Sequence, residues 1–535
     1  MANSSDTINS TDILIVGAGP SGLMMACQLA LYDISFRIID KKAEPTNYSG
    51  ALIVHARSLE IFKQMGIAEK AIQKGIIAGE IKISFNAKKS FVIPIRNLGG
   101  EQTEFPFMLL LEQSVTEKLL IQFLQERGIQ VERKIELLKI QQDSDKVISV
   151  LKSEHGEETV HAKYLIGADG ARSIVRKLLQ IPFTGKSYLS PLFVADCVAE
   201  TDFPHDQICF SFSNLVTTGL FPLKNGRWRI DGAFSGAKSD LTFEDIQQNF
   251  SERAGISVKL KTADWFSVFQ TNSRVAEHYR QSHCFLVGDA AHIHSPVGAQ
   301  GMNTGLQDAA NLAWKLAAVV QGKADEKLLE TYELERRKIA QNIVRYTDWV
   351  FDFVTTQNML IRFFRLHLVP VFLKLLYPAL TKNTKLRGSF FRKLSGLTVH
   401  YRKSSLSVKA SAKGIPDSAP KPGERLPFLT YLESGKITNI QDKITGTTFH
   451  LLFFSRERIP EEIIRFEGKN SEVLAIENIF FSVETQNLFE LFGVKNSGFY
   501  LIRPDGYVAL RSAKPDIAQL ENYFQRINMN DFPTN

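Results

Sequence analysis

Twenty residues without a formal charge, ILIVGAGPSGLMMACQLALY at positions 13–32, lie between Asp12 and Asp33. A run of about twenty apolar residues is long enough to span a bilayer. Gly17, Gly19, Pro20 and Gly22 cluster inside it, and a spanning helix leaves that cluster unexplained. A short buried strand, a glycine turn and a helix use every residue, with glycines where the backbone bends tightly and a pyrophosphate approaches. A second strand, SFRIID, ends on Asp40, 23 residues after Gly17. That spacing is close to the ~20 residues between such a turn and the ribose-binding carboxylate of a dinucleotide fold.

The 535 residues exceed one ordinary core and predict two or three domains. A hydrophobic content of 44% with 23% charged residues is that of a globular chain. The stretch before Ile13 carries no basic n-region, so no signal peptide is expected and the cytoplasm is the default location. Cys27, Cys197, Cys209 and Cys284 are far apart and form no CxxC, which argues against a disulfide framework and against a metal site. The net charge of +7 comes without a dense Lys/Arg tract, so nucleic acid is not an expected partner.

Along the chain, residues 1–11 read as a disordered tail. Residues 12–181 and 281–345 form one nucleotide-binding unit, opened by the first strand and resumed at SHCFLVGDAAHIHSPVGAQGMNTGLQDAANLAWKLAAVV. Between them, residues 182–280 change to alternating stretches such as DQICFSFS and GRWRIDGAF, the pattern of a mainly antiparallel sheet. Residues 346–402 are rich in Phe and Leu but interrupted by Arg362, Arg365 and Lys374. They are too charged to span a membrane and fit packed helices broken at Pro370, with membrane-surface contact as the lesser reading. Residues 403–427 are rich in Ser, Lys, Pro and Gly and read as a linker. Residues 428–535 read as a small α/β domain.

Three motifs have to be taken together: Gly17, Gly19 and Gly22 with Asp40; GADGARS, where Asp169 and Gly170 end a strand ahead of Arg172 and Arg176; and GDAAHIHSPVGAQGMN, which turns from Asp289 through Pro296 and Gly298 into a helix. With GALIVHARSLEIFKQMGI and LLEQSVTEKLL, this ordered set resembles the class A flavoprotein monooxygenases, the family of p-hydroxybenzoate hydroxylase and phenol hydroxylase. The likeness is closer to the longer phenol and aromatic polyketide hydroxylases, whose extra thioredoxin-like domain is matched by LIRPDGYVALR. The fold class implied is α/β: a Rossmann-like FAD-binding domain, an inserted antiparallel substrate sheet and a thioredoxin-like domain, here without CxxC.

The resemblance implies bound FAD. Gly17, Gly19, Pro20, Ser21 and Gly22 would hold its pyrophosphate at a helix N-terminus, and Asp40 with Lys41 the adenosine end. Arg57 matches an arginine that reaches the pyrophosphate, Gln113 a glutamine beside the flavin, and Asp289 the acid on the ribityl chain. Asp169 and Gly170 belong to a motif implicated in FAD and NAD(P)H binding, with Arg172 as a partner for negative charge. Pro296, Gly301, Met302 and Asn303 would form the catalytic loop, where free backbone N–H groups of a helix start stabilise anionic reduced flavin. His292 and His294 lack a ligand cluster and read as structural.

The implied reaction uses NADPH or NADH, transiently bound, and O2. A flavin 4a-hydroperoxide transfers one oxygen to a phenolic or polycyclic aromatic substrate. His55, Phe221 and Trp228 are substrate candidates only, and no base for phenol deprotonation is identifiable. A homodimer is the expected assembly. Epoxidation or hydroxylation of isoprenoid or quinone precursors, a non-hydroxylating flavoprotein reductase and a flavin sensor without turnover stay open; a halogenase is disfavoured because no WxWxIP motif occurs.

Overall fold

The computed structural model describes residues 9–527 apart from 47–49, 87, 215, 235–240, 357 and 409–413. The first strand, Asn9–Val16, pairs in parallel with both Phe36–Asp40 and Gly156–Gly167. Cys284–Leu286 continues the parallel order beyond Gly156–Gly167. Ile13, Leu14, Ile15, Leu165, Ile166, Phe285 and Leu286 are all fully buried, the near-continuous apolar pattern that a sheet covered on both faces demands.

One expectation is corrected at the start of the chain. Asn9–Thr11 are not tail but strand, because Val160–Ala162 offer them parallel partners; residues 1–8 lie outside the described residues. The first helix, Pro20–Leu31, crosses the sheet and packs against the helices Gln300–Val320 and Gln113–Gln125.

The second sheet has eight strands, in the order His292–Ile293, Val258–Ala276, Phe183–Thr201, Arg227–Phe234, Val216–Pro222, Gln207–Phe212, Glu80–Phe85 and Lys89–Pro94. It is antiparallel except where Gln207–Phe212 runs parallel to Glu80–Phe85. The expected boundary of 182–280 was therefore too narrow: residues 80–94 complete the sheet through a pairing that no local pattern announces. The helix Phe243–Ala254, started by a Thr242–Asp245 capping box, covers one face. Trp228, Ile230, Val216, Leu220 and Cys197 pack there against Phe243, Ile246 and Phe250.

The helical segment corrects a second expectation. Met359–Phe363, a π-helical turn at Phe364–Leu368 and Val369–Lys382 run on as one helix through Pro370. Proline removes one backbone donor, and the wider π turn just before it absorbs that loss without ending the helix.

In the last part of the chain the sheet order is Leu474–Phe480, Phe449–Ser455, Ser497–Ile502, Val508–Ser512. A parallel βαβ unit is followed by an antiparallel hairpin and the helix Ile517–Arg526, as the thioredoxin-like reading expects. The segment expected to be a linker is instead pinned to this sheet. Val408 N–H donates to Ala509 O at 2.9 Å, Gly423 N–H to Val508 O at 2.7 Å and Leu426 N–H to Gly506 O at 2.9 Å. Leu406, Ile415, Ala419 and Leu426 are buried under it, so spaced apolar residues override a linker-like composition.

Candidate active site

Two helix starts define the site. At the first, Gly17 adopts φ +104°, and a side chain there would meet Ala168 O at 2.5 Å; one on Gly22 would meet Gly17 O at 1.9 Å. Both positions must be glycine for the turn to close. At Gly19 nothing lies within 4 Å of where a Cβ would stand, so the backbone is open to a ligand. Pro20 fills the first helical position and no side chain caps the helix, which leaves its first N–H groups and the positive end of its dipole unspent. Asp40 sits beside this turn, accepting from Ala18 N–H at 2.7 Å and Lys42 N–H at 2.8 Å. Ser21 points elsewhere: its hydroxyl wedges between Gly288 and Gly305, and a Cβ on either would come within 2.2 Å of it. Lys41 is exposed.

The second start is the helix Gln300–Val320, also without a side-chain cap and preceded by Ala299 in the left-handed region at φ +51°. Its first turn carries Gly301, Met302 and Asn303. The Asn303 side chain acts as a clamp. Its Nδ2 donates to Ile53 O (2.8 Å) and Ala299 O (2.9 Å), and its Oδ1 accepts from His55 N–H (2.9 Å) and Ser58 Oγ (2.8 Å). The first-turn backbone is thus fixed by side chains while its N–H groups stay available. Pro296 is exposed at the head of this loop.

Asp289, just past the strand Cys284–Leu286, is open to solvent yet crowded by protein, and that crowding raises its carboxyl pKa. Its loop is held from behind by Arg176, which donates to Ala290 O at 2.7 Å and Ala171 O at 2.8 Å and stacks on Phe183. A buried network secures the same joint. Asp308 accepts from Gly288 N–H (3.2 Å), His292 Nε2 (2.7 Å) and Arg336 Nε (2.6 Å), and Arg336 also reaches Tyr401 Oη at 3.0 Å. Burial works against the Asp308 charge, but Arg336 and His292 outweigh it and hold its pKa at about 2.

Several expected site residues are reassigned. Arg57 does not point to the glycine turn; it is buried, donating to Asp505 O at 2.7 Å and Glu60 Oε2 at 3.0 Å and lying over the Tyr507 ring. A guanidinium that anchors the C-terminal domain is spent there. Asp169 caps the helix Ile174–Leu178 through Ile174 N–H (2.6 Å) and Val175 N–H (3.1 Å). Gly170 turns the chain at φ +78°, and Arg172 is exposed. Gln113 supports the loop before His55 by accepting from Ala51 N–H at 3.1 Å. His55 is buried with Nε2 3.0 Å from Gly298 O, and desolvation lowers its pKa to about 4. As a neutral ring it buttresses the loop at Gly298. Trp228 faces the covering helix, on the side of the sheet away from the loop. Phe221 lies on the opposite face, edge-on to Phe210.

That opposite face holds what the sequence did not reveal. Leu192 and Ala233 pack with Tyr188, Phe351 and the loop residue Val297, so this face meets the second helix start. On it, Arg229 makes a buried bidentate pair with Asp196 at 2.7 and 2.8 Å. Two residues along the strand, Asp231 accepts from Gly219 N–H at 3.1 Å, and burial raises its pKa to about 6. Polar residues at alternate strand positions were the only available signal. His294 also lies at this loop. Its Nδ1 is 2.7 Å from Ser295 O, whereas Nε2 is buried without a partner, near Gly301.

These residues fit a dinucleotide flavin. The backbone is open at Gly19, two helix starts are uncapped, the Asp289 side chain is accessible on the loop that leads to the second, and a buried ring nitrogen next to Gly301 lacks a partner.

Comparison with known proteins agrees. Residues 10–347 match the FAD binding domain family model. Over 97% of its length the chain is 30% identical to 6-methylpretetramide 4-monooxygenase of Streptomyces rimosus, covering 93% of that protein. Over 65% of its length it is 35% identical to rifampicin monooxygenase of Rhodococcus hoagii, covering 72% of that protein. Among solved structures, anhydrotetracycline hydroxylase of Streptomyces rimosus superposes with a TM-score of 0.76 at 27% identity, covering 97% of this chain and 99% of the other. The chain belongs to the FAD binding domain family of aromatic monooxygenases and is an FAD-dependent enzyme of that kind.

Proposed function

We infer that the enzyme uses NAD(P)H and O2 to hydroxylate a phenolic or polycyclic aromatic substrate. The observation that carries this reading is the seating of the Val297 loop against the sheet face that bears Arg229, Asp196 and Asp231. That contact joins a cofactor site to a largely apolar wall with a few polar groups, the composition of a small-molecule pocket. The relatives named for 6-methylpretetramide and rifampicin favour large fused or bridged aromatic substrates over simple phenols.

FAD, when bound, supplies the activation of O2 and the transfer of one oxygen atom. The glycine turn and the Pro20–Leu31 helix start would hold its diphosphate, with Asp40 at the adenosine end and Asp289 on the ribityl chain. Free N–H groups at Gly301, Met302 and Asn303 would meet negative charge developing on the ring edge. Arg229, fixed by Asp196, is a planar donor for a substrate oxygen. Asp231, with its pKa raised to about 6, is ionised at neutral pH and can accept a phenolic proton, and it loses that capacity as pH falls below 6. Leu192, Phe221 and Ala233 exclude water from the face.

The test follows NADPH and NADH oxidation by the FAD-loaded protein against fused-ring phenols, quinones and ansamycins, with product mass. Oxidation stimulated by one compound, with a mass gain of one oxygen, is expected. Flavin that stays bound while no compound stimulates turnover overturns the reading.

A further inference from the structure

We propose that the outer face of the helix spanning residues 359–382 is a docking surface for an anionic lipid bilayer. Of the 24 large hydrophobic residues that stand exposed among the described residues, 14 fall between Tyr346 and Phe390. They are ordered: Leu360, Phe364, Leu368, Val371, Phe372, Leu375 and Leu376 recur every three or four residues along one continuous helix. Its inner side is already occupied, with Tyr377 Oη donating to Val92 O at 2.9 Å and Arg365 donating to Phe353 O and Val354 O at the end of the preceding helix. The apolar stripe is therefore a second face, and soluble monomers rarely expose one that large without a partner.

Charge identifies the partner. No acidic residue occurs from 353 to 416, a stretch that contains twelve Lys and Arg; without them the chain's net charge of +7 becomes −5. Lys374, Lys382, Lys385, Arg392 and Lys393 are exposed around the stripe, and Trp349 stands exposed at its edge. A basic rim, an apolar stripe and an interfacial Trp describe a helix that lies in a headgroup layer, its apolar side shallowly buried and its cations on anionic lipids. A second copy of the chain is a poorer fit, because a two-fold pairing would bring two basic rims together. No helix among the described residues is long and apolar enough to cross a membrane, so the contact is peripheral. The surface adjoins the site: Phe351 packs on the substrate sheet, and Thr217 Oγ1 reaches Val354 O at 3.4 Å. Lipid-dissolved aromatics would thus be concentrated beside it.

The experiment is co-sedimentation of the FAD-loaded protein with phosphatidylcholine vesicles, with and without phosphatidylglycerol. Binding is expected to the anionic vesicles, weakening as salt is raised and falling about tenfold or more in the variant Phe372→Glu/Leu375→Glu. The charge-reversal variant Lys382→Glu/Lys385→Glu provides an independent check at exposed positions, with flavin absorbance and circular dichroism reporting the fold. Equal binding to neutral vesicles, unchanged binding by both variants, or no binding together with self-association that the Phe372→Glu/Leu375→Glu variant abolishes would each overturn the proposal.

Discussion

The two uncapped helix starts look alike in outline and are built by opposite means. The start at Pro20 is made by its own glycines: Gly17 and Gly22 permit a turn that no side chain supports. The start at Gln300 is held by its own side chains reaching distant segments, with Asn303 tied to the backbone of Ile53 and His55, and Asp308 to the side chains of His292 and Arg336. A local device needs only steric permission. An assembled device needs every buried polar partner, so the second start should be the more fragile to polar substitution and the more sensitive to acid.

The largest effect should come from breaking the assembled start. Arg336→Ala leaves Asp308 charged and buried, and should cost about 3–5 kcal/mol in chemical denaturation; a loss below 1 kcal/mol would erase the contrast. Next, Gly22→Ala drives a methyl group into the Gly17 carbonyl and should cost about 1–3 kcal/mol, with FAD lost before the fold. Retention of FAD by Gly22→Ala would show that the local turn is not sterically determined.

The acid response is smaller and has a definite sign. The Asp308 pKa is depressed to about 2 in the folded state, so its contribution is complete above the usual carboxylate value and is lost as pH falls towards 2. One to two pKa units correspond to about 2 kcal/mol. His55 and His294 act in the same direction, because folded pKa values near 4 penalise protonation as pH falls from about 6.5. Thermal melts between pH 7 and 2 test this, and Asp308→Asn should flatten the lower end. The smallest effect is expected for Asp289→Ala, an accessible residue whose loss should weaken FAD retention by about 1.5 kcal/mol while leaving apoprotein stability unchanged. Normal flavin content in that variant would remove the carboxylate from the cofactor site.

A third joint shows the same lesson without a cofactor. Arg503, Asp505, Glu335 and Lys315 are buried together, with Arg503 on Glu335 at 2.6 Å and Lys315 on Glu335 at 2.8 Å. Arg57 and Arg425 join the same interface through Asp505 O and Glu60. The RPDG turn is legible in the sequence as a domain signature. That it docks onto the long helices, and thereby takes Arg57 away from any phosphate, is not.

The sequence by itself determined the parallel nucleotide-binding core, the glycine turn, the position of Asp289 and the helix start after Pro296. Each rests on backbone geometry that a few adjacent residues dictate. It also placed an antiparallel sheet between the halves of that core, from alternation alone. Only the tertiary structure decided that residues 80–94 complete that sheet, that Asn303 and His55 clamp the loop, that Asp196, Arg229 and Asp231 share its inner face, and that Arg57 serves the C-terminal domain. Those outcomes depend on which buried charge meets which partner across hundreds of residues, and pairing of that kind leaves no periodic or local trace in the chain.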